Sequence, residues 1–239
     1  MSSVLVSADD FCLHRDIDEG ILSCIERGVV QSVSFSALGR RVSWDRLHAL
    51  RQMGVRVDLH LTLVHERWYT SNCFIKNWRQ LMIRIAGGGR RFALSMRAEV
   101  QWQIHQCLEH DLVPTHLDSH QHVHVLPILW PMCVELAGEH GIGRLRVPWC
   151  PSAQAMRSTA SGVLLQMLAL RRSSQVDAFL PCIGLARSGH NCLDTIESEL
   201  QSAGGRDVEL VAHPGVATPE LLRQYGFWGY DWALVLSRS

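Results

Sequence analysis

The chain has 239 residues, with 23 Lys plus Arg against 23 Asp plus Glu and a formal net charge of zero. That length suits one α/β barrel-sized domain with an ample core, and the balanced charge argues against a nucleic-acid groove. No apolar run is long enough to span a bilayer, no signal-peptide pattern is visible, and the eight cysteines are scattered without a Cys-x-x-Cys pair, which fits thiols in a reducing, cytoplasmic compartment.

Residues 4–8 are a short, β-branched apolar run that predicts a buried strand. Asp9 and Asp10 follow at once. Adjacent carboxylates at a strand's C-terminal end resist joint ionisation, and a divalent cation removes that cost. One could then bind metal while the other keeps a lone pair for proton transfer. A helix is expected over 16–27, with Asp16 or Asp18 as its N-cap. A strand over 32–37 and a helix over 43–53 come next.

Residues 55–63 alternate strictly, with Val55, Val57, Leu59, Leu61 and Leu63 on one face of a strand and Asp58 and His60 on the other. An isolated His60 reads as a satisfied core histidine; beside the other clusters it becomes the natural third ligand. Segment 64–98 is basic and aromatic, with Arg67, Trp68, Tyr69, Trp78, Arg79, Arg84 and the run Gly87-Gly88-Gly89-Arg90-Arg91. It follows the strand carrying His60, so it is expected over the mouth of a site as an insertion or lid. Trp68, Tyr69 and Trp78 could stack on sugar faces or simply cover an apolar edge. The arginines suit an anionic or lipid-linked substrate, since guanidinium forks match phosphate.

A helix is expected over 95–110 and a strand over 114–117. That strand runs into Thr115-His116-Leu117-Asp118-Ser119-His120-Gln121-His122-Val123-His124, with four of the thirteen histidines in ten residues. Imidazoles and carboxylates are the ligands of borderline metals, and such clusters are costly unless used. Extended alternation would put His120, His122 and His124 on one side. Helix 127–140 and strand 145–147 follow, where Arg146 reads equally as a sugar or phosphate contact or as a surface residue. Helices over 161–172 and 193–203 precede strand 208–212, which ends in His213-Pro214-Gly215. Pro214 restricts His213 to extended geometry, which suits a side chain held at a strand's rim.

Alternating strands and helices argue for parallel strands with crossover helices. All four motifs fall at or near C-terminal strand ends, where barrels of this type gather their chemistry.

Together these motifs resemble the YdjC family of carbohydrate deacetylases, which includes chitooligosaccharide and hopanoid-associated deacetylases. The family's Ala-Asp-Asp-Phe-Gly stands here as Ala8-Asp9-Asp10-Phe11-Cys12, its Gly-Leu-His-Leu as Asp58-Leu59-His60-Leu61, and its Thr-His-Leu-Asp-Ser-His-x-His-Val-His runs from Thr115 to His124. Its Gly-Leu-x-x-Ser-Gly is matched at 184–189 and its His-Pro-Gly at 213–215. Cys12 and Asp58 replace family glycines, so any positive φ at position 12 must be borne by a residue with a Cβ.

The resemblance implies one α/β, barrel-like (β/α) domain over 1–239 with mainly parallel strands, similar to the distorted barrel of polysaccharide deacetylases. It implies hydrolysis of the N-acetyl group of an amino sugar or glycoconjugate at one divalent metal ion. Asp10, His60 and His120 would hold the metal, Asp9 would be the general base and His213 the general acid. His122, His124, Arg146 and Trp68 are expected as substrate contacts or as supports behind the ligands. Magnesium and zinc are both candidates; one carboxylate and two imidazoles favour a transition metal over magnesium. Another metal hydrolase of phosphoesterase type, or a non-catalytic carbohydrate-binding protein on the same scaffold, is the alternative. A homodimer is left open.

Overall fold

The computed structural model describes residues 4–148, 167–168, 182–184, 208–216 and 218–224. Seven strands form one parallel sheet in the order β5-β4-β3-β2-β1-β7-β6. They are β1 (Val4–Phe11), β2 (Ser32–Phe35), β3 (Arg56–Leu61), β4 (His116–Ser119), β5 (Arg144–Leu145), β6 (Cys182–Gly184) and β7 (Val208–Ala212). The helices are α1 (Arg15–Glu26), α2 (Trp44–Gln52), α3 (Trp78–Glu109), α4 (Leu129–Glu139) and α5 (Pro219–Gln224), and a 3-10 turn covers His120–Val125. The sheet and its helices make an α/β barrel-like domain. Among the described residues no helix is long and apolar enough to cross a membrane. The expected helix over 193–203 lies outside the described residues, as does that over 161–172 apart from its helical pair Met167 and Leu168.

Both faces of the sheet are buried, but they differ in kind. One set of alternate positions is apolar and contributes Val33, Phe35, Val57, Leu59, Leu61, Leu117 and Leu210 to the core. Ile17, Ile21, Cys24 and Ile25 of α1 belong to the same core at helical spacing, each worth about 1.5–3 kcal/mol for a fully buried aliphatic side chain. The other set is polar yet equally buried: Ser7, Asp9, Ser32, Ser34, Asp58, His60, His116, Asp118 and Glu209.

Side-chain contacts across the polar face show how strongly the sheet curls. Asp10 on β1 lies 2.6 Å from His120, just past β4. Asp9 lies 2.6 Å from Arg146, just past β5. Strands three and four places apart in a flat sheet would be about 14 and 19 Å away. The polar face is therefore the inside of a barrel-like trough.

Several elements differ from the sequence expectation. The N-cap of α1 is His14, whose Nδ1 accepts from the Asp16 amide at 3.2 Å. Asp18 instead turns inward and accepts from the Cys12 amide at 2.7 Å, with Arg41 at 3.2 Å. Helix α3 starts at Trp78 rather than near 95, because the glycine tract kinks the helix instead of ending it. The kink sits at Gly89 (φ 53°, ψ −155°), a conformation that glycine adopts without a Cβ penalty.

Candidate active site

Strand β1 places the two aspartates by breaking its own pairing. Neighbouring strand residues point to opposite faces, so Asp9 and Asp10 should not share a pocket. The register with β2 shifts between Ala8 and Phe11, and Asp10 takes φ 69°. This irregularity turns both carboxylates inward, and both are buried. Cys12 follows at φ 73°, so a β-carbon does occupy a left-handed position that favours glycine. Its side chain is buried, and burial pushes the thiol well above its ordinary value.

The two aspartates line a cavity of about 250 Å³ together with His60, Ser119, His120, Gln121, His122 and His213. Asp10 Oδ1 lies 2.6 Å from His120 Nδ1 and 3.0 Å from His60 Nε2. The two rings meet nearly edge to face, 5.8 Å apart. Burial alone would raise the Asp10 carboxyl, but the two imidazoles overcome it and hold the group well below the usual carboxylate range. His60 Nδ1–H donates to Asp118 Oδ1 at 2.8 Å, which directs Nε2 toward Asp10. This carboxylate–histidine pairing is the arrangement that orients metal-binding imidazoles.

Asp118 is the member that sequence reasoning passed over. It accepts from Ser34 Oγ at 2.7 Å and from His60, and it pairs with Arg146. Burial raises it, yet Arg146 and His60 hold it well below the usual range. Its position inside the histidine motif was the available signal. Glu209 was also missed. It lies on β7 in an otherwise apolar strand and meets Arg146 Nη2 at 2.7 Å; a lone carboxylate in such a strand was the clue.

Arg146 is not a surface residue. It is 2% exposed, and its fork divides between the site and the interior. Nη1 donates to Asp9 Oδ2 at 2.6 Å and pairs with Asp118; Nη2 reaches Glu209 and Ser7. Burial raises the Asp9 carboxyl, and Asp118 adds to that, with Arg146 opposing both.

The three histidines after Ser119 do not alternate. The chain turns in a 3-10 segment with Gln121 at φ 55° and His122 at φ 52°. His120 and His122 stay at the cavity, while His124 goes behind it. Its Nε2–H donates to the Arg146 carbonyl at 2.6 Å, and Nδ1 contacts Ser119 Oγ at 2.7 Å. Burial brings His124 down to about 4, so it is a neutral brace for the Arg146 segment. Burial also lowers His213, against the pull of Asp9 and Asp10. The His213 segment is seated on α1: a Cβ on Gly20 would stand 2.5 Å from the Gly215 nitrogen, and the Val216 amide donates to Asp16 O at 2.9 Å.

Segment 64–98 touches the cavity lining at Gln121 and His120. The Trp78 amide donates to Gln121 Oε1 at 3.1 Å, and Gln121 Nε2 contacts His65 Nε2 at 2.8 Å. Trp68, however, is 1% exposed; its Nε1–H donates to Leu63 O at 3.0 Å and its ring stacks on Phe92. It is a core residue with no face left for a sugar. Tyr69 stacks on Trp102. Arg67, Arg79, Arg90 and Arg91 do not line the cavity.

Asp10, His60 and His120 offer ligand atoms within 4.8 Å of one another, and so do Asp9, His60 and Asp118. The first set fits a divalent cation better. Asp10 Oδ2 is buried without a hydrogen-bond partner among the described residues, whereas Asp118 is already neutralised by Arg146. One carboxylate with two imidazoles is also an established donor chemistry for such ions.

A buried set of aspartates and histidines at the C-terminal edge of a curled parallel sheet makes a candidate metal site in a barrel-like α/β domain. The YdjC-like protein family model matches residues 3–232, and the chain belongs to that family. A carbohydrate deacetylase of Halalkalibacterium halodurans is 27% identical over 175 residues, covering 68% of this chain and 68% of that protein. A chitooligosaccharide deacetylase of Escherichia fergusonii is 27% identical over 146 residues, covering 58% of this chain and 57% of the relative. A carbohydrate deacetylase of Xenopus laevis is 30% identical over 158 residues, covering 61% and 50%. The match thus spans about half the length of the last two relatives. The fold is shared with a crystal structure from Enterococcus faecalis V583 of a protein named for cellobiose-phosphate cleavage. That likeness has a TM-score of 0.71 at 18% identity and covers 99% of this chain and 90% of the other.

Proposed function

We propose that the protein is a metal-dependent carbohydrate deacetylase that hydrolyses the N-acetyl group of an amino sugar or glycoconjugate. The observation that carries this reading is the pairing of two buried carboxylate oxygens at one cavity, Asp9 Oδ1 and Asp10 Oδ2, neither with a hydrogen-bond partner among the described residues. Buried polar atoms are rarely left in this state unless a ligand or ion completes them. The names of the family relatives supply the substrate class.

Asp10, His60 and His120 would hold the ion, and their donor types favour zinc or another transition metal over magnesium. When bound, a divalent cation there supplies Lewis acidity for an acetyl carbonyl and acidifies water. The chain's own residues do the rest. Arg146 holds Asp9 by Oδ2, which leaves Oδ1 to take a proton from the attacking water. His213, on the same cavity, gives a proton to the departing amine nitrogen, because an unprotonated amine is a poor leaving group. His122 contacts the substrate from the turn after β4. The cavity, about 250 Å³, is smaller than the ~300–1,000 Å³ of sites that enclose a whole drug-sized ligand, so it suits the acetamido end of a sugar.

Acetate release from N,N′-diacetylchitobiose and N-acetylglucosamine, measured beside metal content, tests the assignment. Asp10→Asn should lose both metal and turnover. Asp9→Asn should keep the metal and lose turnover by roughly two to four powers of ten, the usual worth of one acid–base group. Acetate release at the wild-type rate by Asp9→Asn or by a metal-free preparation would refute the mechanism.

A further inference from the structure

A second surface, away from the histidine site, is built from the first two-thirds of α3. From Lys76 to Arg97 the sequence holds Lys76, Arg79, Arg84, Arg90, Arg91 and Arg97 and not one Asp or Glu, in a chain whose charges balance overall. Arg97 is engaged by Glu135 and Glu139. Arg79, Arg84, Arg90 and Arg91 are exposed and have no acidic partner among the described residues.

Large apolar side chains are exposed along the same stretch and beside it. Ile83 is 71% exposed, Leu94 56% and Ile128, at the start of α4, 44%. Beside the Gly89 kink lies a cavity of about 190 Å³ lined by Ile85, Gly89, Arg90, Phe92, Met96 and Ile128, among others. Exposed aliphatics gathered about an apolar cavity mark an interaction surface.

We propose that this face of α3 docks on an anionic lipid surface. Ile83, Leu94 and Ile128 enter the acyl boundary, the cavity beside Gly89 takes the end of an acyl chain, and Arg79, Arg84, Arg90 and Arg91 meet the headgroup phosphates. Apolar burial together with attraction to anionic lipid is what holds interfacial helices. Charge decides among the occupants. Two copies packed through this face would oppose four arginines with four arginines, a like-charge contact that resists association. A neutral apolar partner would leave those arginines unanswered. A nucleic acid would answer them but would bury no aliphatic side chain. The inference stands whether or not the histidine site is a deacetylase.

Vesicle flotation of the full chain tests it, using phosphatidylcholine alone and phosphatidylcholine with phosphatidylglycerol. Binding should require the anionic lipid and weaken as salt rises, because such attraction is screened within a Debye length. Arg90→Glu with Arg91→Glu should weaken binding by about tenfold or more. Ile83→Ser with Leu94→Ser should weaken it with all charges kept. All four positions are exposed, so thermal unfolding should match the parent chain. Absence of binding to anionic vesicles in low salt overturns the proposal. So does apolar-variant binding equal to wild type, which marks a simple polyanion site. A concentration-dependent dimer that the Ile83→Ser/Leu94→Ser pair dissociates also overturns it, by assigning the face to a second copy.

Discussion

The buried polar trough has two halves that handle charge in opposite ways. In the lower half four carboxylates share two arginines. Arg56 Nε lies 2.6 Å from Asp58 Oδ2, Arg146 spans Asp9, Asp118 and Glu209, and three donors from Thr115 and His116 converge on Asp58 Oδ1. In the upper half Asp10 meets two imidazoles, and among the described residues its second oxygen has no hydrogen-bond partner. Buried charges persist only when paired. The lower half draws on two arginines for its pairing, while the upper half holds groups that could bind a cation. Arg146 joins the two halves and gives Asp9 a fixed orientation without occupying the cavity.

The largest expected effect comes from removing that joint. Arg146→Met leaves Asp9, Asp118 and Glu209 buried without their guanidinium, and breaking a buried pair typically costs about 3–5 kcal/mol. Denaturant unfolding at neutral pH should show that loss, and the gap from wild type should narrow in acid as the abandoned carboxyls take up protons. A variant as stable as wild type at neutral pH would show that the lower half is not held by Arg146.

Glu209→Gln sharpens the same contrast through pH. Burial would raise the Glu209 carboxyl, but Arg146 and His116 prevail and hold it at about 2 against an ordinary 4.5. A folded-state value below the unfolded one stabilises the fold above the unfolded value. That contribution is lost as pH falls from about 4.5 through about 2. It amounts to roughly 3 kcal/mol at neutral pH. The Gln variant should therefore be less stable at pH 7, and its acid unfolding curve should be flatter below pH 4.5. Parallel curves for the two proteins would deny Glu209 its place in the paired half.

Gly20→Ala acts on the upper half from outside. Its new Cβ would stand 2.5 Å from the Gly215 backbone, so the 213–215 segment must shift, at about 1–3 kcal/mol for such overpacking. Turnover should fall while metal content is unchanged, because His213 moves and Asp10, His60 and His120 do not. Loss of metal together with turnover would mean that the two sides of the cavity are not independent. The smallest effect is expected of Cys12→Gly. Relief of the φ 73° strain, about 1 kcal/mol, is offset by glycine's greater unfolded-state entropy and the lost thiol packing. Stability should change by less than about 1 kcal/mol, and a drop well beyond that would give the Cys12 side chain a structural role.

Much of this protein is legible in its sequence because its signals are local. Alternation in 55–63 fixes which side chains share a face of β3, and the runs 4–8 and 208–212 show strands wherever apolar residues cluster. The Asp9-Asp10 pair and the histidine motif announce their chemistry by residue type alone. Four decisions belong to the tertiary structure. Only the bulge and the φ of 69° at Asp10 bring neighbouring aspartates to one cavity, against the alternation of an ordinary strand. Only the 3-10 turn separates His120 and His122 from His124. Only the curl of the sheet carries Arg146 across four strands to Asp9, so no spacing along the chain could distinguish this buried brace from a surface arginine. Trp68 likewise reads as a sugar platform until the fold stacks it on Phe92. In each case the deciding contact joins residues distant in sequence, or depends on one backbone torsion that residue type does not dictate.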